Sequence, residues 1–109
     1  MLVLDLAQLR NVTLNDEALM REVVSALMSA VSEQIQDLQR AMERGDFQAC
    51  IQVAHSARGA CGNVGAVSLA AVFSALEGQA AEGDLESCRS SVRELTVELE
   101  KLRREAEKI

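Results

Sequence analysis

Proline, tryptophan and tyrosine are absent from the 109-residue chain, and only two phenylalanines and one histidine occur. Because proline breaks helix interiors, its absence leaves every stretch free to be helical. Hydrophobic residues make up 49% of the chain, so a core can form, built from Leu, Val, Ala, Met and Ile. The abundant Ala, Leu, Glu, Gln and Arg lose little on entering a helix. We therefore predict an all-α protein with one domain over residues 1–109.

Basic charge is also scarce, and the formal net charge is -6. Nucleic acids and anionic membrane surfaces attract clustered Lys and Arg, so neither is an expected partner. The first five residues have no basic region and include Asp5, which is unlike a signal peptide. The most apolar stretch, 66–76, is too short to span a bilayer. We expect a cytoplasmic protein or domain.

The three cysteines, Cys50, Cys61 and Cys88, show no C-x-x-C spacing. A structural zinc site needs four ligands, and a single histidine does not complete such a set. We predict that the cysteines are buried free thiols and that the chain itself binds no metal or cofactor.

Glycine marks the helix boundaries. In segments 43–46 and 81–84, Gly suits the left-handed position after a helix and the following Asp suits the N-cap of the next. Further breaks are predicted near 62–65 and 13–15, where Thr13 or Asn15 would cap the next helix. The resulting helices span about 3–10, 16–44, 46–63, 67–82 and 85–107. Short corners between them predict an antiparallel up-down four-helix bundle with a short additional N-terminal helix.

Two of these helices carry apolar stripes at helical spacing. In the second helix the stripe consists of Met20, Val24, Leu27, Val31, Ile35, Leu38 and Met42. In the last helix, steps of three and four residues connect Leu85, Cys88, Val92, Leu95, Leu99, Leu102, Ala106 and Ile109. Such a seam indicates either a helix packed into the bundle or one whose end dimerises.

The single histidine, His55, falls at the solvent boundary of the third helix, where a lone histidine is usually an ordinary surface residue. Its neighbours suggest more. Gly59 and Gly62 follow on the same outward side although a mid-helix glycine costs about 1 kcal/mol relative to alanine. Their bare backbone would let a second protein approach the imidazole. Arg58 lies one turn from His55, where it can reach a phosphate on the ring, and Gln52 lies further out.

Other catalytic parts are missing from the segment. No acid lies within one turn of His55, which disfavours a Ser-His-Asp hydrolase, and no G-x-x-x-x-G-K loop indicates ATP binding. Phosphoryl transfer needs mainly positioning and charge neutralisation, and a neutral imidazole nitrogen is a ready nucleophile near physiological pH. The chain therefore looks like half of a reaction centre whose other half comes from a partner.

The run from His55 to Ala66, followed by Leu69, Leu76-Glu77 and Gly83-Asp84, resembles the signature of histidine phosphotransfer (HPt) domains. The resemblance implies that His55 takes a phosphoryl group on its outer ring nitrogen from a receiver aspartate and passes it to another receiver. The receiver would supply Mg²⁺ and the catalytic acids. Arg58 matches a position that is usually Lys, and Gly59 matches a small residue that admits the receiver. Glu77 stands where some members have Gln, and its carboxylate either points away from His55 or orients the unphosphorylated ring.

The main hypothesis is thus a monomeric phosphoryl carrier of a two-component phosphorelay rather than a turnover enzyme. Response-regulator receivers are the expected partners, with a hybrid sensor kinase as a further candidate. Docking is expected to involve Leu9, Val12 or Leu14, although these residues would also suit a cap on the core. Two alternatives stay open: a kinase-linked phosphoacceptor domain, and a structural adaptor or coiled-coil dimer without transfer chemistry.

Overall fold

Five α-helices make up the computed structural model, which covers residues 1–109. They are α1 (Leu6–Val12), α2 (Glu17–Glu43), α3 (Phe47–Val64), α4 (Val67–Ala81) and α5 (Leu85–Ala106). Helices α2 to α5 form a ring in which each packs against the next and α5 returns to α2, while α1 packs on α2 and α3. The all-α prediction and the four-helix bundle with an additional short helix are confirmed. None of the five helices is both long and apolar enough to cross a lipid bilayer.

The two predicted Gly-Asp corners are confirmed. Gly45 (φ +68°) and Gly83 (φ +70°) adopt the left-handed conformation that glycine tolerates best. Asp46 then accepts a hydrogen bond from the Ala49 N–H at 3.0 Å, and Asp84 accepts one from the Ser87 N–H at 3.1 Å. These side chains satisfy N–H groups that the first turns of α3 and α5 leave unpaired.

The predicted bounds of α1 and the predicted caps of α2 are wrong. Helix α1 covers Leu6–Val12 rather than 3–10, because Asp5 is its N-cap and accepts from the Gln8 N–H at 3.2 Å. Neither Thr13 nor Asn15 caps α2, since Asp16 accepts from the Leu19 N–H at 3.1 Å.

The corner between α1 and α2 is instead made by two residues with positive φ. Leu14 (φ +54°) and Asn15 (φ +61°) reverse the chain in the left-handed region. The Thr13 hydroxyl donates back to the Leu9 carbonyl at 2.7 Å, which satisfies a polar group that is almost fully buried.

The break between α3 and α4 was predicted at 62–65, but it begins only at Gly65. Helix α3 continues through Gly62 and Asn63 and ends only at Gly65 (φ +93°). The Gly65 carbonyl accepts from the Asp5 N–H at 2.8 Å. A Cβ on Gly65 would lie 2.8 Å from the Asp5 carbonyl oxygen. Gly65 therefore ends α3 and also allows the chain before α1 to approach it closely.

The core follows the predicted stripes. All seven stripe residues of α2 are buried, and so are the α5 residues Cys88, Val92, Leu95, Leu99 and Leu102. The ends of the α5 seam, Leu85, Ala106 and Ile109, are partly buried against the same cluster. The α5 seam therefore packs into the bundle, in accordance with the first interpretation.

All three cysteines are free and fully buried, as predicted. Burial raises the pKa of each thiol because the apolar surroundings disfavour the thiolate, and the pKa of Cys61 rises to about 12. A thiol with so high a pKa stays protonated and unreactive near neutral pH.

One predicted docking residue belongs to the core instead. Leu9 is completely buried where α1 covers the bundle, so its inclusion in the docking surface is wrong. Val12 and Leu14 are exposed, and Leu14 leaves 87% of its surface in solvent because its backbone turns it outwards at the corner.

Candidate functional site

His55 lies near the middle of α3, with 65% of its side chain exposed. Its position follows from the residues around it. Ala54, Ala57 and Cys61 are fully buried and fix the inner face of α3. Because each residue turns the helix by about 100°, His55 falls outside that face. The sequence therefore holds the imidazole in solvent on a rigid helix whose other side is fixed by packing.

The closest partner of the imidazole comes from the neighbouring helix α4. Glu77 Oε2 lies 3.1 Å from His55 Nδ1, and the Glu77 side chain is 26% exposed. Of the two orientations considered for this carboxylate, the structure has the one directed at the ring. Glu77 is 22 residues away from His55 in sequence and meets it only through the packing of α3 on α4, so the spacing of acids along α3 gives no sign of this partner.

Arg58 completes a cluster with His55 and Glu77. Its Nη2 lies 3.2 Å from His55 Nδ1, and its Nε lies 3.6 Å from Glu77 Oε1. The latter oxygen is buried without a hydrogen bond, so Arg58 is the cation that offsets its charge. The Arg58 side chain is half-buried at 43% exposure, where an ion pair keeps part of its strength despite screening by solvent.

The two contacts of Nδ1 require opposite hydrogen-bond roles. A neutral imidazole nitrogen either carries a proton and donates, or carries a lone pair and accepts. Glu77 only accepts in its ionised form and Arg58 only donates, so one of the two partners is hydrogen-bonded at a time. When Nδ1–H donates to Glu77, the lone pair of the neutral ring resides on the other nitrogen, Nε2.

Gly59 and Gly62 leave open space beside His55 on the outward side of α3. A Cβ at either position would meet no atom within 4 Å. Neither glycine is needed for packing, and neither has a positive φ. Gln52 is also exposed on this side, one turn before His55, and no hydrogen bond connects it to the cluster. The structure thus brings His55, Arg58 and Glu77 together and arranges Gln52, Gly59 and Gly62 along the same face.

No group of three or more His, Cys, Asp or Glu side chains is arranged to bind a metal ion. The pairing of Arg58 with Glu77 was not anticipated from the sequence. In the sequence, only the opposite charges of the two residues indicate that they could pair, and many other residue pairs in the chain have opposite charges.

An up-down helical bundle that exposes one imidazole beside bare helix backbone has the architecture of a histidine-based phosphoryl carrier. The Hpt domain family matches residues 22–105, and the chain belongs to this family. It is a histidine phosphotransfer protein of phosphorelay signalling. Hpt proteins work with response-regulator receivers.

A solved structure supports the assignment over nearly the whole chain. Histidine-containing phosphotransfer protein B (HptB) from Pseudomonas aeruginosa PAO1 superposes with a TM-score of 0.88 and shares 26% sequence identity. The alignment covers 97% of this chain and 92% of that one. No curated protein matches the chain significantly. The resemblance to HPt domains noted from the sequence is confirmed.

Proposed function

We propose that His55 is the phosphoacceptor and that Nε2 is the nitrogen that carries the phosphoryl group. The contact between Glu77 Oε2 and His55 Nδ1 at 3.1 Å supports this assignment most directly. When Nδ1–H donates to Glu77, the proton of the neutral ring is on Nδ1 and the lone pair of Nε2 is available for attack. The large exposed fraction of the side chain suits a nucleophile that must enter another protein's active site.

In the proposed reaction, the Nε2 lone pair forms a bond to the phosphorus of a receiver's aspartyl phosphate. The bond between that phosphorus and the aspartate oxygen breaks, and its electron pair returns to the carboxylate. A second receiver reverses these changes and takes the group away. The acidic residues of the receiver would hold Mg²⁺, and that ion would neutralise charge on the transferring group. Nothing is consumed on this chain, which acts as a carrier rather than a turnover enzyme.

The proposed role of Gly59 and Gly62 is to admit the receiver. With no side chain on this face of α3, the receiver's loops can approach the backbone closely, while Gln52 would lie at the edge of the contact. Arg58 and Glu77 act beside the ring itself. The partners we propose are receiver domains and a hybrid sensor kinase that carries one.

We further propose that residues 1–109 work as a single, monomeric Hpt unit. Its proposed compartment is the cytoplasm, where Hpt proteins generally work. The net charge of -6 supports partners other than nucleic acids or anionic membranes.

A transfer assay tests the proposal. The chain is mixed with receiver domains that have been loaded with a labelled phosphoryl group in the presence of Mg²⁺. We expect acid-labile, alkali-stable label on the wild-type chain and none on His55→Gln, whereas Ser56→Ala, a change at the neighbouring exposed hydroxyl, keeps the label. Label that persists in His55→Gln would refute the choice of residue. No label on the wild type across a panel of receivers would favour an adaptor without transfer chemistry.

A further inference from the structure

The two partners of His55 Nδ1 compete for a single position. Glu77 Oε2 at 3.1 Å is an acceptor from α4, and Arg58 Nη2 at 3.2 Å is a donor from α3. No third charged side chain pairs with this cluster. The state of Nδ1 therefore decides which of the two is bonded, and phosphoryl transfer to Nε2 changes that state.

The change follows from the electron count of the ring. Before transfer, Nδ1 carries a proton and Nε2 carries the lone pair. When the Nε2 lone pair bonds to phosphorus, the ring becomes a cation that still carries the proton on Nδ1. Release of this proton to water leaves a neutral phosphorylated ring whose only lone pair is on Nδ1. That lone pair would repel the Glu77 carboxylate and attract an N–H donor.

We propose that Nδ1 exchanges its partner on phosphorylation, from Glu77 to Arg58, and that Arg58 thereby acts on the ring nitrogen rather than on the phosphate. This inference rests on the proposed phosphoacceptor role of His55. Glu77 is then the positioning residue of the free ring, and Arg58 is the positioning residue of the phosphorylated ring.

The geometry needs little rearrangement for this exchange. Arg58 already spans both partners, with Nη2 at the ring and Nε 3.6 Å from Glu77 Oε1. Arg58 Nη2 lies beside Nδ1, which is not the nitrogen that carries the phosphoryl group. Once Nδ1 no longer donates a hydrogen bond to Glu77, the Arg58 guanidinium still lies beside the Glu77 carboxylate. Both charges stay neutralised while one hydrogen bond replaces another.

The carboxylate at position 77 makes Arg58 necessary. A glutamine there would serve both states, since its carbonyl accepts from Nδ1–H and its amide donates to a Nδ1 lone pair. Glutamate can only accept when ionised. We therefore expect that loss of Arg58 affects the phosphorylated ring strongly when residue 77 is Glu and weakly when it is Gln.

The experiment loads the ¹⁵N-labelled chain with phosphoramidate, a small P–N phosphoryl donor, and records the His55 ring nitrogens and the ³¹P resonance at mildly alkaline pH. Arg58→Met, Glu77→Gln, the double variant and Arg104→Met are compared with the wild type. Arg104 is an exposed arginine that pairs with Glu100 on α5, a helix that does not pack against α3, and it serves as the matched control.

We expect Nδ1 to be protonated in the free wild type and unprotonated once phosphorylated. Arg58→Met should shift the Nδ1 resonance of the phosphorylated ring and leave the ³¹P resonance unchanged. With a receiver that labels the chain, the same variant should lower the equilibrium constant for transfer to His55 by about two- to fivefold, the range for a half-exposed charged hydrogen bond. Both effects should shrink in the Glu77→Gln background and be absent in Arg104→Met.

Two results would overturn the inference while leaving the phosphoacceptor role intact. One is a phosphorylated ring that keeps its Nδ1 proton, which would mean that Glu77 remains the partner. The other is an Arg58→Met variant that shifts the ³¹P resonance and not Nδ1, which would mean that Arg58 binds the phosphate. If His55 acquires no phosphoryl group, the proposed function fails and this inference fails with it.

Discussion

Replacing Gly65 with alanine should destabilise the protein more than the same change at a helix corner elsewhere in the fold. Gly65 has a φ of +93°. An added Cβ would lie 2.8 Å from the Asp5 carbonyl oxygen and 3.2 Å from Gln8 Cβ. The first contact involves backbone, so a change of rotamer cannot relieve it. Gly65→Ala therefore combines a conformational cost with a steric one.

The two costs can be separated by magnitude. An L-residue in the left-handed region costs about 1–2 kcal/mol. Steric crowding in a packed region typically adds about 1–3 kcal/mol, here because α1 must shift with its fully buried Leu9. The sum is about 2–5 kcal/mol. Gly45→Ala is the matched control, because Gly45 has a φ of +68° and open space around a Cβ, and should cost only the conformational part.

Urea denaturation followed by circular dichroism gives both free energies of unfolding. We expect Gly65→Ala to lose at least about 1 kcal/mol more than Gly45→Ala, with unchanged dependence on urea concentration. Equal losses in the two variants would refute the reasoning, since they would mean that the chain at Asp5 makes room for the added Cβ without any cost.

Three further predictions concern the site and the core. Gly59→Gln should stabilise α3 by about 0.5 kcal/mol but slow phosphoryl transfer from a receiver by at least about tenfold. The control Ala60→Gln, at the adjacent exposed position, should leave the transfer rate unchanged. Equal transfer rates in both variants would contradict the proposed docking face. Because burial raises the pKa of the Cys61 thiol from 9.0 to about 12, the folded state holds this proton when the unfolded chain has lost it. Stability should therefore fall as pH rises from 9.0 towards about 12, and urea titrations should show a shallower fall for Cys61→Ala. Phe73→Ala, at the largest fully buried side chain, should cost about 3–5 kcal/mol in the same assay, and a loss below about 1 kcal/mol would show that the core refills the cavity.

The local chemistry of the chain was enough to predict much of the fold. Gly45-Asp46 and Gly83-Asp84 each combine a left-handed terminator with an N-cap, so the sequence alone locates these corners. Asp5 illustrates a signal that was present and missed: an acidic N-cap followed three residues later by Gln8 has the spacing of a capping box. At the next corner the sequence predicted Thr13 or Asn15 as the cap, but the Thr13 hydroxyl donates back to Leu9 and Asn15 has a positive φ, so that Asp16 caps α2.

The identities of the candidate site residues could be predicted from the sequence, but their arrangement around the imidazole could not. The spacing of His55, Arg58 and Gly59 on one helix follows from helical periodicity. The position of Glu77 beside the ring depends on how α3 and α4 align along their length, which is set by the packing of many core side chains. Gly62 and Gly65 show the same limit, because both were predicted to lie in the break, whereas α3 continues through Gly62 and ends at Gly65, whose φ is +93°.

The open face around His55 also has a consequence for recognition. On the proposed docking face a partner would meet only helix backbone at Gly59 and Gly62, and helix backbone is the same for any sequence. This backbone surface around His55 therefore suits receivers with different side chains, both the one that gives the phosphoryl group and the one that takes it. A receiver would then be distinguished by its contacts with exposed polar residues at the edge of this face, such as Gln52 and Asn63. Substitutions at this edge would redirect the chain to other receivers without changing the chemistry at His55.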